Sequence, residues 1–139
     1  MGRAILALAL ALVLLGLGAG CGGDEPDAAV PCDDAAFRAQ DEELYVTRAT
    51  ISNAIGGGSG DPAALLLDLR RARAALGGYL DTHPPCDEAL RAIAATEEEA
   101  IASLDEAIAA LDRGTDARKQ LAGALQALRT AQSGLDAAG

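Results

Sequence analysis

The sequence predicts an all-α protein, an antiparallel up-down bundle of four helices held by one disulfide. Three observations favour this class: apolar residues recur at helical spacing over four segments, the connections between the segments are short, and aromatic residues make up only 2% of the chain. A core of Leu, Ile and Ala favours closely packed helices over a β-sandwich. We expect three parts: a signal peptide at 1–20, a flexible tether at 21–31 and the bundle domain at 32–139.

The first two predicted helices cover 33–55 and 62–81. Asp61 is a good N-cap for the second, and Pro62 suits the first helical position because it has no N–H to leave unpaired. The apolar stripe of the first helix is Phe37, Gln40, Leu44, Thr47, Ile51 and Ala54, and that of the second is Leu65, Leu69, Ala72, Leu76 and Tyr79.

The third and fourth predicted helices cover 87–112 and 116–135, with Gly114 ending the third and Thr115 capping the fourth. Residues at spacings of three and four again share one face of each helix. The stripe of the third is Leu90, Ala94, Glu97, Ile101, Leu104, Ile108 and Leu111, and that of the fourth is Leu121, Leu125, Leu128 and Leu135.

Two of the three cysteines lie in near copies of one sequence, PCDDA at 31–35 and PCDEA at 85–89. Each cysteine follows a proline and precedes a predicted helix. In an up-down bundle the first and third helices begin at the same end, so the topology brings Cys32 and Cys86 together. We therefore predict a Cys32–Cys86 disulfide. Because the first and third helices are diagonal in a square bundle, the bond requires either that their ends converge or that the first helix packs beside the third.

The N-terminus has the layout of a secretory signal peptide: a basic residue, Arg3, an uncharged apolar run from Ile5 to Leu17, and small residues before Cys21. The apolar run is shorter than the ~20 residues that a permanent membrane-spanning helix needs. The following stretch, GGDEPDAAVP at 22–31, contains Gly, Pro and acid without apolar periodicity, which is typical of a flexible tether.

The segment Leu17-Gly18-Ala19-Gly20-Cys21 resembles the lipobox of bacterial lipoproteins, in which small residues precede a cysteine. The resemblance covers residues 1–21 only. It implies that the Cys21 thiol receives a diacylglyceryl group, that the leader is removed, and that a further acyl chain such as palmitate is added to the new amine. Two or more acyl chains give stable membrane anchoring. The expected location is the bacterial cell envelope, with the domain at the periplasmic or extracytoplasmic face of a membrane.

The charge balance excludes some partners. The chain carries a net charge of −10, and removal of residues 1–20 takes away Arg3 and no acid, which leaves −11. Nucleic-acid phosphates and anionic lipid headgroups both require a basic surface, so we expect no nucleic-acid partner and membrane contact only through the lipid.

Opposite charges in the second and third helices predict a register. If these helices fold about THPP at 82–85, RRAR at 70–73 faces EEE at 97–99. We expect the arginines to pair with these glutamates rather than to bind an anionic ligand, and the glutamates to form a solvated face rather than a cation site.

Two single residues are candidates for chemistry. Glu97 lies on an apolar stripe, either as a buried site residue or, as we expect, reaching outward to an arginine at the edge of the interface. His83, the one histidine, is expected to contact the helix end or solvent, because one His without a second ligand or a neighbouring nucleophile makes a poor metal or catalytic site. We predict no catalytic residue, no metal site and no cofactor.

The sequence therefore predicts a non-catalytic envelope lipoprotein whose helical domain has a structural or protein-interaction role. The alternative is a binding module that holds a small apolar or cationic ligand between helices. A cavity lined by Tyr45, Tyr79 and Glu97 would favour the alternative, whereas a tight core with an exposed Leu or Ala stripe on the last helix would favour a protein partner or a homo-oligomer.

Overall fold

The computed structural model describes residues 29–58 and 60–139. This part of the chain is helical and contains no strand, which confirms the predicted class. A short helix precedes four long ones: α1 Asp34–Arg38, α2 Asp41–Ile55, α3 Pro62–Thr82, α4 Glu88–Asp112 and α5 Arg118–Ala138.

The four long helices form a square, up-down-up-down bundle. Helix α2 packs on α3 and α5, and α4 packs on the same two helices, so α2 and α4 are diagonal. The predicted stripes enclose the core, although three alanines of α4, Ala100, Ala107 and Ala110, are buried beside them. The largest fully buried side chains are Phe37, Gln40, Leu44, Thr47, Ile51, Leu69, Leu76, Leu90, Glu97, Leu104 and Leu128.

The first predicted helix is divided in two, which corrects the single helix expected at 33–55. Helix α1 ends when the Ala39 N–H donates to the Ala36 carbonyl, and Gln40 then has φ −87° and ψ 17°. The apolar stripe survives the break, because Phe37 in α1 and Leu44 in α2 are both fully buried. Helix α1 lies beside the beginning of α4, where Asp34 contacts the backbone of Cys86 and Asp87.

This arrangement explains how the predicted disulfide forms between elements that belong to diagonal helices. Cys32 and Cys86 are bonded, with their Cα atoms 5.1 Å apart. Asp34 Oδ1 accepts hydrogen bonds from the N–H groups of Cys86 at 2.6 Å and Asp87 at 3.0 Å. The Asp33 N–H donates to the Pro84 carbonyl at 2.9 Å. Hydrogen bonds to backbone N–H groups favour the ionised form, and they hold the pKa of Asp34 below its ordinary value.

The register between α3 and α4 differs from the predicted one. Ion pairs join Arg70 to Asp112 at 2.6 Å and Arg73 to Asp105 at 2.8 Å, whereas Arg71 pairs within its own helix with Asp68. The predicted pairing of 70–73 with 97–99 is therefore wrong. The chain at 83–87 is outside any helix, and the two prolines keep it extended past the end of α3 before α4 begins.

The connection from α4 to α5 also differs in one detail. Gly114 has φ +69°, a conformation that glycine adopts without strain, and it follows α4 as predicted. Thr115 does not cap α5, because its hydroxyl donates back to the Ala110 carbonyl at 2.8 Å. Asp116 Oδ1 instead accepts from the N–H of Arg118, the first residue of α5.

Two glycines inside helices give a matched stability prediction. An added Cβ at Gly78 in α3 meets no atom within 4 Å, whereas at Gly134 in α5 it lies 3.0 Å from Ile93 Cγ1. We expect Gly78→Ala to raise the free energy of unfolding by about 0.5–1 kcal/mol through helix propensity. Gly134→Ala gains the same propensity but must displace Ile93, so it should be less stable than Gly78→Ala by about 1 kcal/mol or more.

Urea unfolding of both variants measures this difference. Equal stability of the two alanine variants would show that α4 and α5 do not approach each other closely at Gly134.

Candidate functional site

Glu97 is fully buried in the bundle, which corrects the expectation that it reaches outward to an arginine. It lies near the middle of α4, and its side chain has 0% exposure. Its chain neighbours Glu98 and Glu99 are exposed. Within the described ranges, neither carboxyl oxygen of Glu97 has a hydrogen-bond partner or an ion-pair partner.

The polar neighbour of Glu97 is Gln40, at the break between α1 and α2. Gln40 is also fully buried, and both atoms of its side-chain amide lack a partner with normal hydrogen-bond geometry in the described structure. Burial disfavours a charged carboxylate and raises the pKa of Glu97 to about 8, and interaction with the Gln40 amide offsets part of that rise. At neutral pH Glu97 is therefore mostly a neutral acid that can donate as well as accept a hydrogen bond.

The sequence contains the signal for this pair, because Gln40 and Glu97 are both polar residues on otherwise apolar stripes. Each stripe alone permits a long side chain to reach solvent. Gln40 keeps the inward direction of the predicted stripe across the helix break, and it is buried together with Glu97.

A shallow groove lies on the outside of the bundle between α2 and α5. Its volume is about 270 Å³, and it is lined by Tyr45, Arg48, Ala49, Ser52, Leu125 and Arg129. Tyr45 is 66% exposed, and its neighbour Val46 is 48% exposed. The Nε–H of Arg48 donates to the Leu44 carbonyl on its own helix at 3.3 Å. Aromatic and arginine side chains of this kind are enriched where proteins contact one another.

His83 contacts the end of α3, as the sequence predicted. Its Nδ1 lies 2.9 Å from Thr82 Oγ1 and 3.2 Å from the Tyr79 carbonyl, and its ring is 4.4 Å from the Tyr79 ring between centroids. The Tyr79 hydroxyl donates to the Ala36 carbonyl of α1 at 2.6 Å. Tyr79 and His83 thus form part of the packing that joins α1 to α3.

The residues expected to line a ligand cavity are not brought together. Tyr45 lies on the surface, Tyr79 is half-buried against α1, and Glu97 is in the core. Neither Tyr79 nor Glu97 lines the groove that contains Tyr45.

Cys21, the predicted lipidation site, lies outside the described residues. Within the ranges that are described, no helix combines the length and apolar character needed to cross a bilayer, and no cluster of three or more His, Cys, Asp or Glu side chains could hold a metal ion.

No protein-family model matches the chain, and neither a curated protein nor a solved structure is significantly similar to it. The fold and the two local arrangements, the buried Glu97–Gln40 pair and the groove between α2 and α5, are therefore interpreted from their own chemistry.

Proposed function

We propose that the protein is a lipid-anchored lipoprotein of the bacterial cell envelope, and that its bundle is a non-catalytic module that binds another protein. The anchor is Cys21, acylated after removal of residues 1–20, and the tether at 21–31 joins it to the domain. The oxidising conditions of an exported compartment are those in which a disulfide such as Cys32–Cys86 persists.

The observation that carries the interaction role is the surface between α2 and α5. It combines the exposed Tyr45 and Val46 with two arginines over an apolar floor of Ala49 and Leu125. Tyr and Arg contribute strongly to protein–protein binding because they combine a large apolar area with polar contacts. The disulfide fixes where the tether joins the bundle, so the domain is held by one end while this side surface remains exposed.

Binding of a small ligand between the helices has less support. That function needs a cavity inside the bundle, and the three residues proposed for it are separated between the surface, the α1 contact and the core.

One experiment in intact cells tests anchoring and interaction together. A photo-crosslinking amino acid replaces Tyr45 in the otherwise wild-type protein and in Cys21→Ser. We expect the protein that keeps Cys21 to fractionate with membranes, to incorporate labelled palmitate and to give a discrete crosslinked product. The Cys21→Ser protein should lose all three, because without acyl chains nothing holds it beside its partner.

The Cys32→Ser/Cys86→Ser variant is the matched control, since it removes two thiols and keeps Cys21. It should retain palmitate. Unchanged labelling of Cys21→Ser would disprove the anchor, and identical crosslinking from the exposed position Ala74 on α3 would disprove a specific surface at Tyr45.

A further inference from the structure

The break between α1 and α2 lies directly against the buried acid of α4. Gln40 is the residue before α2, and its side chain is fully buried with both amide atoms unpartnered in the described structure. Glu97 presents two further unpartnered oxygens, and its carboxyl interacts with the Gln40 side chain. A neutral carboxyl and a primary amide each offer a donor and an acceptor, so only small movements are needed for them to pair.

We propose that Glu97 and Gln40 form a proton-dependent latch that holds the α1–α2 junction on α4. In the closed form the Glu97 O–H faces the Gln40 amide oxygen, and the amide N–H₂ faces the carbonyl oxygen of the acid. When the carboxyl proton passes to bulk water, the donor is lost and a charge remains in the core. The junction then moves outward and admits water to the carboxylate, because an isolated buried charge is far less favourable than a hydrated one.

Other titratable groups lie near Glu97 along the bundle, but they do not determine its pKa. The contacts between helices place Glu43 of α2, Asp81 of α3 and Arg129 of α5 at about the level of Glu97, with Tyr79 two residues before Asp81. Asp81 and Arg129 are exposed, and Glu43 and Tyr79 are half-buried. Burial raises the pKa of Glu97 and Gln40 lowers it, and no charged group contributes to the shift. Glu43 instead contributes to the raised pKa of Tyr79, for which burial is the larger cause.

The disulfide determines which part of the molecule can move. Cys32–Cys86 holds the chain before α1, and the Tyr79–Ala36 hydrogen bond holds α1 against α3. The junction at Ala39 and Gln40 has no such covalent tie, and its backbone is already outside regular helix. Opening therefore separates the beginning of α2 from α4 while the end of the bundle stays closed. Tyr45 lies just over one turn from Gln40. Opening of the junction on ionisation of Glu97 therefore also affects the proposed interaction surface.

Amide hydrogen exchange of the full-length oxidised protein tests the latch, by comparing amides at 37–44 with amides in the middle of α5 between pH 5.5 and 9.5. After correction for intrinsic base catalysis, we expect the opening constant at 37–44 to rise about tenfold per pH unit up to pH ~8 and then to level off. Amides of α5, which exchange through global unfolding, should show the same slope but a much smaller opening constant at every pH. Glu97→Gln should abolish the rise, whereas Glu98→Gln, a matched change at an exposed neighbour, should retain it.

Three outcomes would overturn the latch. One is the same pH profile in Glu97→Gln as in the wild type. Another is an opening constant at 37–44 equal to that of α5 at every pH, which would mean that only global unfolding exposes Glu97. The third concerns the wild type only. A ¹³C-detected titration that gives the Glu97 carboxyl an ordinary glutamate pKa would show that the acid is not buried.

Discussion

Replacement of both Cys32 and Cys86 by serine is expected to lower the free energy of unfolding by about 4 kcal/mol. The bond joins residues 54 positions apart, and closing a loop of that length restricts the unfolded chain by roughly this amount in the chain-entropy model. Native proteins are stable by only about 5–15 kcal/mol, so the loss removes a large fraction of the total. Urea unfolding of the oxidised wild type and of the double variant, at the same pH, measures it.

Reduction of the wild type provides the control, because it breaks the same bond without changing a residue. The reduced wild type and the double variant should unfold at similar urea concentrations. A double variant as stable as the oxidised wild type would show that Asp34, Asp33 and Tyr79 hold the N-terminal segment well enough without the covalent bond.

The stability of the protein is expected to fall as the pH rises from about 4.5 to about 8. The pKa of Glu97 is raised from 4.5 to about 8, so over this range the folded chain holds a proton that the unfolded chain has released. Stability then decreases by about 1.4 kcal/mol per pH unit, or about 5 kcal/mol over the whole interval, and becomes independent of this group above the folded pKa.

The difference between wild type and Glu97→Gln isolates this effect. Both proteins share every other titrating group, so their difference in unfolding free energy should change with the slope given above and then flatten. The aspartates with lowered pKa values, Asp34, Asp105 and Asp116, act with the opposite sign, since their contribution is lost as the pH falls. A constant difference between the two proteins from pH 5 to pH 9 would contradict the buried acid.

The helical class and the identity of most core residues follow from apolar spacing alone. Leu44, Leu76 and Leu128, for example, lie on predicted stripes and are fully buried. The disulfide could also be predicted, because the beginnings of alternate helices lie at the same end of an up-down bundle. These features depend on local periodicity and on the alternating direction of helices joined by short loops, and both can be inferred from the sequence.

The features that could not be predicted depend on how far a helix extends and where it stops. The α3–α4 register depends on the path of the extended chain at 83–87, and charge matching selected the wrong glutamates because Asp105 and Asp112 are equally suitable partners. The break before Gln40 has no proline or glycine to mark it. The stripes place Gln40 and Glu97 on inward faces, but periodicity does not determine whether a long polar side chain stays buried or reaches solvent. The burial of the pair therefore could not be predicted.

The position of the sulfur–sulfur bond also determines how the domain responds to mechanical force. Tension applied before Cys32 crosses directly to Cys86 and enters the polypeptide between α3 and α4. The 53 residues from 33 to 85 include α1, α2 and α3, and they form a loop closed by the disulfide that bears no load. A pull between the two termini is carried by α4 and α5, and the beginning of α4 and the end of α5 lie together, with Gly134 against Ile93 and Gly123 against Ser103. Because the force enters and leaves at the same end of this antiparallel pair, the two helices must peel apart from that end rather than slide past one another in shear.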